Sequence, residues 1–196
     1  MYKVVGGVQS RSFRVLWCLE ELDLPYEHLA AMPRSAEVTA LSPLGKIPVL
    51  VEGDAIIPDS TAILAYLTDK HGQLTCPAGT LERARQDALT FRILDEIDAT
   101  LWTAARHSFI LPKDERVPEV KPSLKLEYAR NIERLTGEIR GPFLMGDALT
   151  VPDIILGHCA GWARTANFPD APAAFVDYLR RLRGRPGFKR AVARGA

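Results

Sequence analysis

The stretch Leu44-Gly45-Lys46-Ile47-Pro48-Val49-Leu50, followed by Pro58-Asp59-Ser60-Thr61-Ala62-Ile63, constrains this chain more than any other. A loop beginning at Ser42 runs straight into apolar, β-prone residues, with Pro48 setting the backbone at the strand entry. Val51 to Ile57 reads as two strands around a turn at Glu52-Gly53-Asp54. Asp59 and Ser60 then open a helix that continues through Tyr66-Leu67. Local chemistry therefore dictates a proline-fixed loop beside a helix N-terminus. Such a pair can hold an extended small peptide, with backbone groups at one end and a helix N-terminus for a carboxylate at the other.

The segments before this stretch extend the pattern. Tyr2-Lys3-Val4-Val5 alternates as a strand, and Gly6-Gly7-Val8-Gln9 turns. Phe13, Val15, Leu16, Cys18, Leu19 and Leu22 recur at helical spacing, with Glu20 and Glu21 on the opposite face and a serine of Ser10-Arg11-Ser12 as N-cap. Asp23-Leu24-Pro25 ends that helix, and Tyr26-Glu27-His28-Leu29 reads as a second strand in a right-handed β-α-β unit. Pro33 to Leu41 is a partly helical loop. The order β-α-β, α, β, β, α is thioredoxin-like, a mixed sheet with helices on both faces.

Beyond residue 74 the period changes. Residues 75–81 contain Pro77, Gly79 and Thr80 and read as a linker; nearly everything after them is helical. The fold class is thus α/β plus all-α: a thioredoxin-like domain over residues 1–74 and an all-helical domain over 82–196. One long helix runs from Glu82 to about His107, with Ala84, Ala88, Leu89, Phe91, Leu94, Ile97, Leu101 and Trp102 apolar. A second runs from about Val120 to Ile139, and final helices lie near Ala173–Leu182 and Gly187–Ala193. Thr150 with Asp153 three residues on forms a variant capping box, Pro152 suits a helix start, and Leu149 with Ile154 occupies the staple positions. That segment is a folding element rather than a site. The seven basic residues between Arg180 and Arg194, with no acidic one among them, read as a solvated face.

Composition excludes several functions. The net charge of +1 over 196 residues provides no field for nucleic acid or a membrane surface. No apolar run reaches the length of a membrane span, and the start of the chain is not patterned as a signal peptide. Cys18, Cys76 and Cys159 are scattered, which supports neither a zinc site nor a disulfide framework and suits a reducing, cytoplasmic compartment. No metal site is expected.

The paired motif, Leu44 to Leu50 with Pro58 to Ile63 and Tyr66-Leu67, resembles the glutathione-binding segment of the soluble glutathione transferases. The Leu149–Ile154 capping segment and Arg185-Pro186-Gly187-Phe188 resemble that family's helical domain too, so the likeness covers nearly the whole chain. It implies glutathione as cosubstrate, with its thiolate attacking an electrophilic, hydrophobic small molecule, and a two-fold homodimer. The form is bacterial-like and of the serine type, because Gly6 and Gly7 stand where tyrosine-type classes keep their tyrosine. No cysteine falls in this turn, which disfavours thiol-disulfide chemistry.

By this resemblance Ser10 donates to the thiolate, as in theta- and delta-like classes. Ser12, closer to the apolar run, and Arg11, a positive charge, compete for that role, and one serine also suits a plain cap. The Ile47-Pro48 bond is cis in the family, with the residue before proline pairing the cysteinyl part of glutathione; without the resemblance Pro48 is an ordinary strand-entry proline. Ser60 receives the γ-glutamyl carboxylate and Asp59 the neighbouring ammonium, while the same geometry caps the helix. Lys46, or less directly Arg34, reaches the glycyl carboxylate, against the plain alternative of a solvated cation. An acceptor pocket between the domains would draw on Trp102, Arg106, His107, Phe109 and Trp162, each of which also suits a core, capping or surface role. Two rivals use the same scaffold: a non-catalytic binding relative, and a glutathione-dependent isomerase or dehalogenase.

Overall fold

The computed structural model describes residues 1–195 and divides into two compact units. One comprises Met1–Ala78 together with the chain from Arg183 onward, and the other Gly79–Leu182. Among the described residues, no helix is long and apolar enough to cross a membrane.

The first unit is built on a four-stranded sheet of order β2-β1-β3-β4: β1 Tyr2–Val5, β2 Tyr26–Leu29, β3 Val49–Glu52 and β4 Ala55–Pro58. β1 pairs parallel with β2 and antiparallel with β3, which pairs antiparallel with β4. The parallel pair needs a crossover, and α1 (Ser12–Glu21) supplies it. Side chains alternate across the sheet. Val5 and Val49 bury one face against Val38 of α2 (Ala36–Thr39), with Ala31 beside them. Val4 and Leu50 are buried on the other face, as are the apolar residues of α1 and of α3 (Ser60–His71), two helices that pack together. The sheet has the thioredoxin-like arrangement expected of the fold class.

The C-terminus differs from the reading that placed all of 82–196 in the helical domain. The last helix, α9 (Pro186–Ala193), packs along α1 in the first unit. Phe188 meets Phe13 and Trp17 edge-on, with centroids 5.3 and 5.0 Å apart. Arg185 forms a two-pronged ion pair with Glu21 at 2.9 and 2.8 Å. Arg190 and Arg194 reach the Glu20 carboxylate at 2.7 and 3.1 Å, and the Tyr26 hydroxyl donates to it at 2.7 Å. The expected solvated face is therefore, at these three arginines, a clamp on α1, and Glu20 is buried rather than outward-facing. Burial of Glu20 works against its charge, but these donors outweigh it and hold the carboxyl below its ordinary value.

The second unit is helical. α4 (Leu81–Ile93) and α5 (Ala99–Ala105) are one long path interrupted by π-helical turns at Leu94–Asp98 and Arg106–Ile110. A continuous helix from Glu82 to His107 was the expectation; the path is interrupted by the two π-turns, and the inward face also differs from the expected one. Gln86, Thr90, Ile93, Ile97 and Leu101 are buried, whereas Ala84, Ala88 and Phe91 face solvent. Asn131 donates to the Glu96 carbonyl at 3.0 Å and Thr100 to that of Ile97 at 2.8 Å, so side chains take up carbonyls of the first π-turn. α6 (Lys121–Gly137), α7 (Val151–Thr165) and α8 (Ala173–Gly184) follow; Tyr128, Ile132, Ile154, Ile155 and Phe175 are buried among them.

The capping box at α7 is formed as expected. Asp153 is 0% exposed and accepts four hydrogen bonds: Leu144 N–H, Thr150 N–H and Thr150 hydroxyl at 2.9 Å each, and Tyr178 hydroxyl at 2.8 Å. Leu149 and Ile154, the staple pair, are both buried.

Candidate functional site

The turn after β1 depends on Gly6. Its φ of 135° lies outside the range of most residues, its N–H donates to the Leu29 carbonyl at 2.9 Å, and its carbonyl pairs with His28 Nε2 at 2.9 Å. A Cβ here would stand 2.1 Å from Ser12 Oγ and 2.8 Å from Ile47 Cβ. The missing side chain is what lets the start of α1 and the Ile47-Pro48 loop close on the same point.

Ser10 and Ser12 form a small hydroxyl pair. Ser10 Oγ lies 2.7 Å from the Gly7 carbonyl and 3.0 Å from Ser12 Oγ, and it accepts the Ser12 N–H at 3.1 Å. The residue at the N-cap of α1 is Arg11, with no side-chain cap, so the expected serine cap is not there. Ser10 instead closes the turn one step earlier. Its own hydroxyl proton serves either Gly7 or Ser12, never both, because a hydroxyl has one to give. Ser10 and Arg11 are half-buried; Ser12 is fully buried beneath Gly6. Cys18 is also fully buried, and burial pushes its thiol well above the ordinary value.

Ile47-Pro48 is a cis peptide bond. Among the described residues, the main-chain N–H and C=O of Ile47 have no hydrogen-bond partner. The loop before it is held by Ser42 N–H to Val38 O at 2.7 Å and Gly45 N–H to Ser42 O at 2.8 Å. Arg34 N–H donates to Gly45 O at 2.8 Å, and both residues have left-handed backbones, with φ of 65° and 63°. This contact puts Arg34 next to Lys46, and both side chains are exposed. Sequence spacing alone did not join those two cations.

At α3, Asp59 is the N-cap with φ of 71°, and its Oδ1 accepts the N–H groups of Thr61 and Ala62 at 2.8 and 3.0 Å. Its other carboxylate oxygen carries no hydrogen bond among the described residues. Ser60 begins the helix and is 2% exposed. Arg14 Nη1 donates to Ser60 Oγ at 3.4 Å across 46 residues of chain. Arg14 escaped the sequence reading. The available signal was a lone cation inside the apolar run Phe13–Leu19.

The acceptor candidates all lie in the second unit. Arg106, His107 and Phe109 share the second π-turn; Arg106 is exposed and Phe109 is 66% exposed. His107 Nδ1 accepts the Val117 N–H at 3.1 Å, a bond that ties the loop down. Trp102 and Trp162 are half-buried on α5 and α7. A groove of about 810 Å³ in this unit is lined by none of them, but by Asp95, Glu127, Arg130, Glu133 and Arg134 among others. Its polar walls do not suit a hydrophobic acceptor. Among the described residues, no cluster of three or more His, Cys, Asp or Glu side chains could hold a metal ion.

A family model described as glutathione S-transferase, N-terminal domain, matches residues 10–75, which contain Ser10, the Ile47-Pro48 loop and the start of α3. A zeta-class glutathione S-transferase of Euphorbia esula is 30% identical over 155 residues, covering 75% of this chain and 68% of that protein. Among solved structures, a glutathione transferase from Methylococcus capsulatus superposes with a TM-score of 0.83 at 24% identity, over 100% of this chain and 98% of its own. A theta-class enzyme from Xanthomonas axonopodis pv. citri, solved with glutathione bound, superposes at 0.79 and 22% identity over 97% and 96%. The site geometry, the matched N-terminal segment and a relative alike over two thirds of its length agree, and the chain belongs to the glutathione S-transferase family.

Proposed function

We propose that this protein is a serine-type glutathione transferase in which Ser10 holds the glutathione thiolate for attack on an electrophilic carbon. The observation that carries this reading is the closure of the Ser10–Ser12 turn and the Ile47 main chain around Gly6. Ser10 is favoured over Ser12 because Ser12 is fully buried and Ser10 is not. The tripeptide lies extended across the first unit. Its cysteinyl main chain pairs with the Ile47 N–H and C=O, which lack partners of their own. Its γ-glutamyl carboxylate sits at Ser60 and the start of α3, where the Ser60 N–H and hydroxyl and the helix dipole favour an anion. The neighbouring ammonium meets the remaining oxygen of Asp59. Lys46 and Arg34 flank the glycyl carboxylate.

The chemical task is ionisation. A free thiol titrates near ~8.5, so only ~3% is thiolate at pH 7. A hydroxyl donor and the start of α1 favour the charged form, and a lowering of ~2 units makes thiolate the major species. The thiol proton leaves to solvent, the sulfur forms a bond to the acceptor carbon, and a leaving group departs with the bonding pair or the acceptor takes up a proton. For Ser10 to donate to sulfur it must release the Gly7 carbonyl, whose backbone bond from Ser10 N–H at 3.2 Å remains.

The acceptor side of the reading rests on the π-turn Arg106–Ile110 and on Trp102 and Trp162, which provide apolar surface for a hydrophobic electrophile. Detoxification in a reducing, cytoplasmic setting suits three cysteines that form no disulfide. Leu81 and Phe91 on α4 are 73% and 64% exposed, which supports a two-fold homodimer that sedimentation velocity would detect.

The deciding experiment is a glutathione titration followed by thiolate absorbance in the ultraviolet, on the wild type and on Ser10→Ala. The expected outcome is thiolate at neutral pH for the wild type, and binding without ionisation for the variant. Equal ionisation in both would move the role to Arg11, Ser12 or backbone amides.

A further inference from the structure

The pairing of β1 with β2 ends at Gly6, and a side chain completes what the backbone leaves open. The parallel register sets Val5 against Leu29, and the Gly6 N–H goes to the Leu29 carbonyl at 2.9 Å. The next donor in line for the Gly6 carbonyl is the Ala31 N–H. Ala31 does not supply it: its N–H turns back to the Leu29 carbonyl at 2.8 Å as the chain leaves the sheet. Gly6 is buried, so an unpaired carbonyl there would be costly. His28 Nε2 takes the vacant place at 2.9 Å. A carbonyl oxygen only accepts, so Nε2 carries the proton.

The consequence lies in the next two residues. Gly6 and Gly7 are adjacent glycines, and no side chain of theirs restricts the turn. The Gly6 carbonyl and the Gly7 N–H share one rigid peptide plane, so a bond that fixes the carbonyl fixes the plane. The following carbonyl, that of Gly7, carries Ser10 twice, through its N–H at 3.2 Å and its hydroxyl at 2.7 Å. From His28 to Ser10 the path is one side-chain hydrogen bond, one peptide plane and one shared carbonyl. Loss of the first link frees the plane to rotate, and Ser10 moves with it. Small misplacements of a catalytic group are expensive in rate.

We propose that His28 is a positioning residue for Ser10. Its Nε2–H holds the Gly6–Gly7 peptide so that the Ser10 hydroxyl stands where the sulfur of glutathione needs a donor. This rests on the assignment of Ser10 given above. His28 acts here as a hydrogen-bond donor from the edge strand of the sheet, not as an acid or a base toward the thiol.

The test follows thiolate absorbance of saturating glutathione against pH. The proteins are the wild type, His28→Leu, His28→Asn, His28→Gln, Ser10→Ala and Ser10→Ala/His28→Leu, with thermal unfolding of each. Calorimetric Kd values for S-methylglutathione, which has no thiol to ionise, report on the rest of the site. His28→Leu is expected to raise the apparent value of the bound thiol by about 0.5–1 pH unit, roughly 3–10-fold less thiolate at neutral pH. The Kd for S-methylglutathione should stay within about three-fold of the wild type, a split that a merely structural role would not produce. His28→Gln carries an amide N–H as far along the side chain as Nε2, and should return the thiol to within about 0.3 unit of the wild type. His28→Asn is too short to reach the Gly6 carbonyl and should resemble His28→Leu, so it decides the matter if the leucine variant does not fold. In the Ser10→Ala background, His28→Leu should add less than about 0.3 unit, because the two residues act in series.

A wild-type thiol value in folded His28→Leu or His28→Asn would overturn the proposal. So would a glutamine variant no better than leucine, or a leucine effect of equal size with and without Ser10. In each of these cases Ser10→Ala still shows its own shift. If Ser10→Ala leaves the thiol value unchanged, the Ser10 assignment itself falls, and the proposal with it.

Discussion

Two helix starts in this molecule use nearly the same residues for opposite ends. α3 begins with Asp59 and Ser60, and α7 with Thr150 and Asp153, in each case an acid and a hydroxyl. At α7 the carboxylate is buried and saturated: four donors surround Asp153, leaving no capacity for a ligand. At α3 the carboxylate is exposed, one oxygen caps the helix, and the other has no partner among the described residues. A capping acid whose hydrogen bonds are left incomplete in reach of solvent keeps an oxygen available to a ligand. When they are complete and dry, it is a rivet.

The comparison breaks most visibly at α7. Asp153→Ala leaves four donors without their acceptor in a dry site, and the loss should exceed about 3 kcal/mol, enough to prevent folding of a marginal domain. Urea denaturation checks this; a variant as stable as the wild type would mean that water replaces the carboxylate. At the site the effect should fall on chemistry instead. Ser10→Ala is expected to raise the bound thiol by about 1–2 pH units and lower kcat/KM by roughly 10–100-fold. Its unfolding free energy should stay within about 1 kcal/mol of the wild type. Asp59→Ala should show both signatures at small size: about 1 kcal/mol of stability from the lost cap, and glutathione Kd weakened by roughly ten-fold. Equilibrium unfolding and calorimetry on the same preparation separate the two.

The clamp on α1 gives the mildest test and a pH dependence. Desolvation opposes the Glu20 charge, yet Tyr26, Arg190 and Arg194 hold its carboxyl below the ordinary value, so ionised Glu20 stabilises the folded state. That contribution is fully present above the unfolded carboxyl value of about 4.3 and is lost as pH falls through the lower folded one. The protection of α9 amides, taken relative to their intrinsic exchange rates at each pH, should fall in that acid window ahead of α3. Arg190→Gln should weaken the dependence, and identical protection at pH 6 and in acid would show that Phe188 alone holds the helix.

Much of this was legible locally. The strands Tyr2–Val5 and Tyr26–Leu29, the hairpin, the helix opening at Ser60 and the Thr150–Asp153 box rest on neighbours a few residues apart, and the structure has them in place. The segments of the candidate site, the cis Ile47-Pro48 bond and the Asp59 cap, were legible for the same reason. The path Leu81–Ile110 was not. Ahead of the π-turn at Leu94–Asp98, Phe91 already faces solvent while Gln86 and Thr90 are buried, because packing against other helices, rather than the polarity of each residue, selects the inward face.

By itself, then, the sequence determined the order and type of the elements, the cap chemistry and the paired motif around Pro48 and Ser60, because short-range sterics and hydrogen bonding settle those. Only the tertiary structure decided which polar groups stay available. It buried Ser12 under Gly6 and left Ser10 within reach, brought Arg34 beside Lys46, ran Arg14 to Ser60 across 46 residues, and folded Arg190 onto Glu20 across 170. Exposure and saturation are properties of packing among distant segments, and no local pattern encodes them.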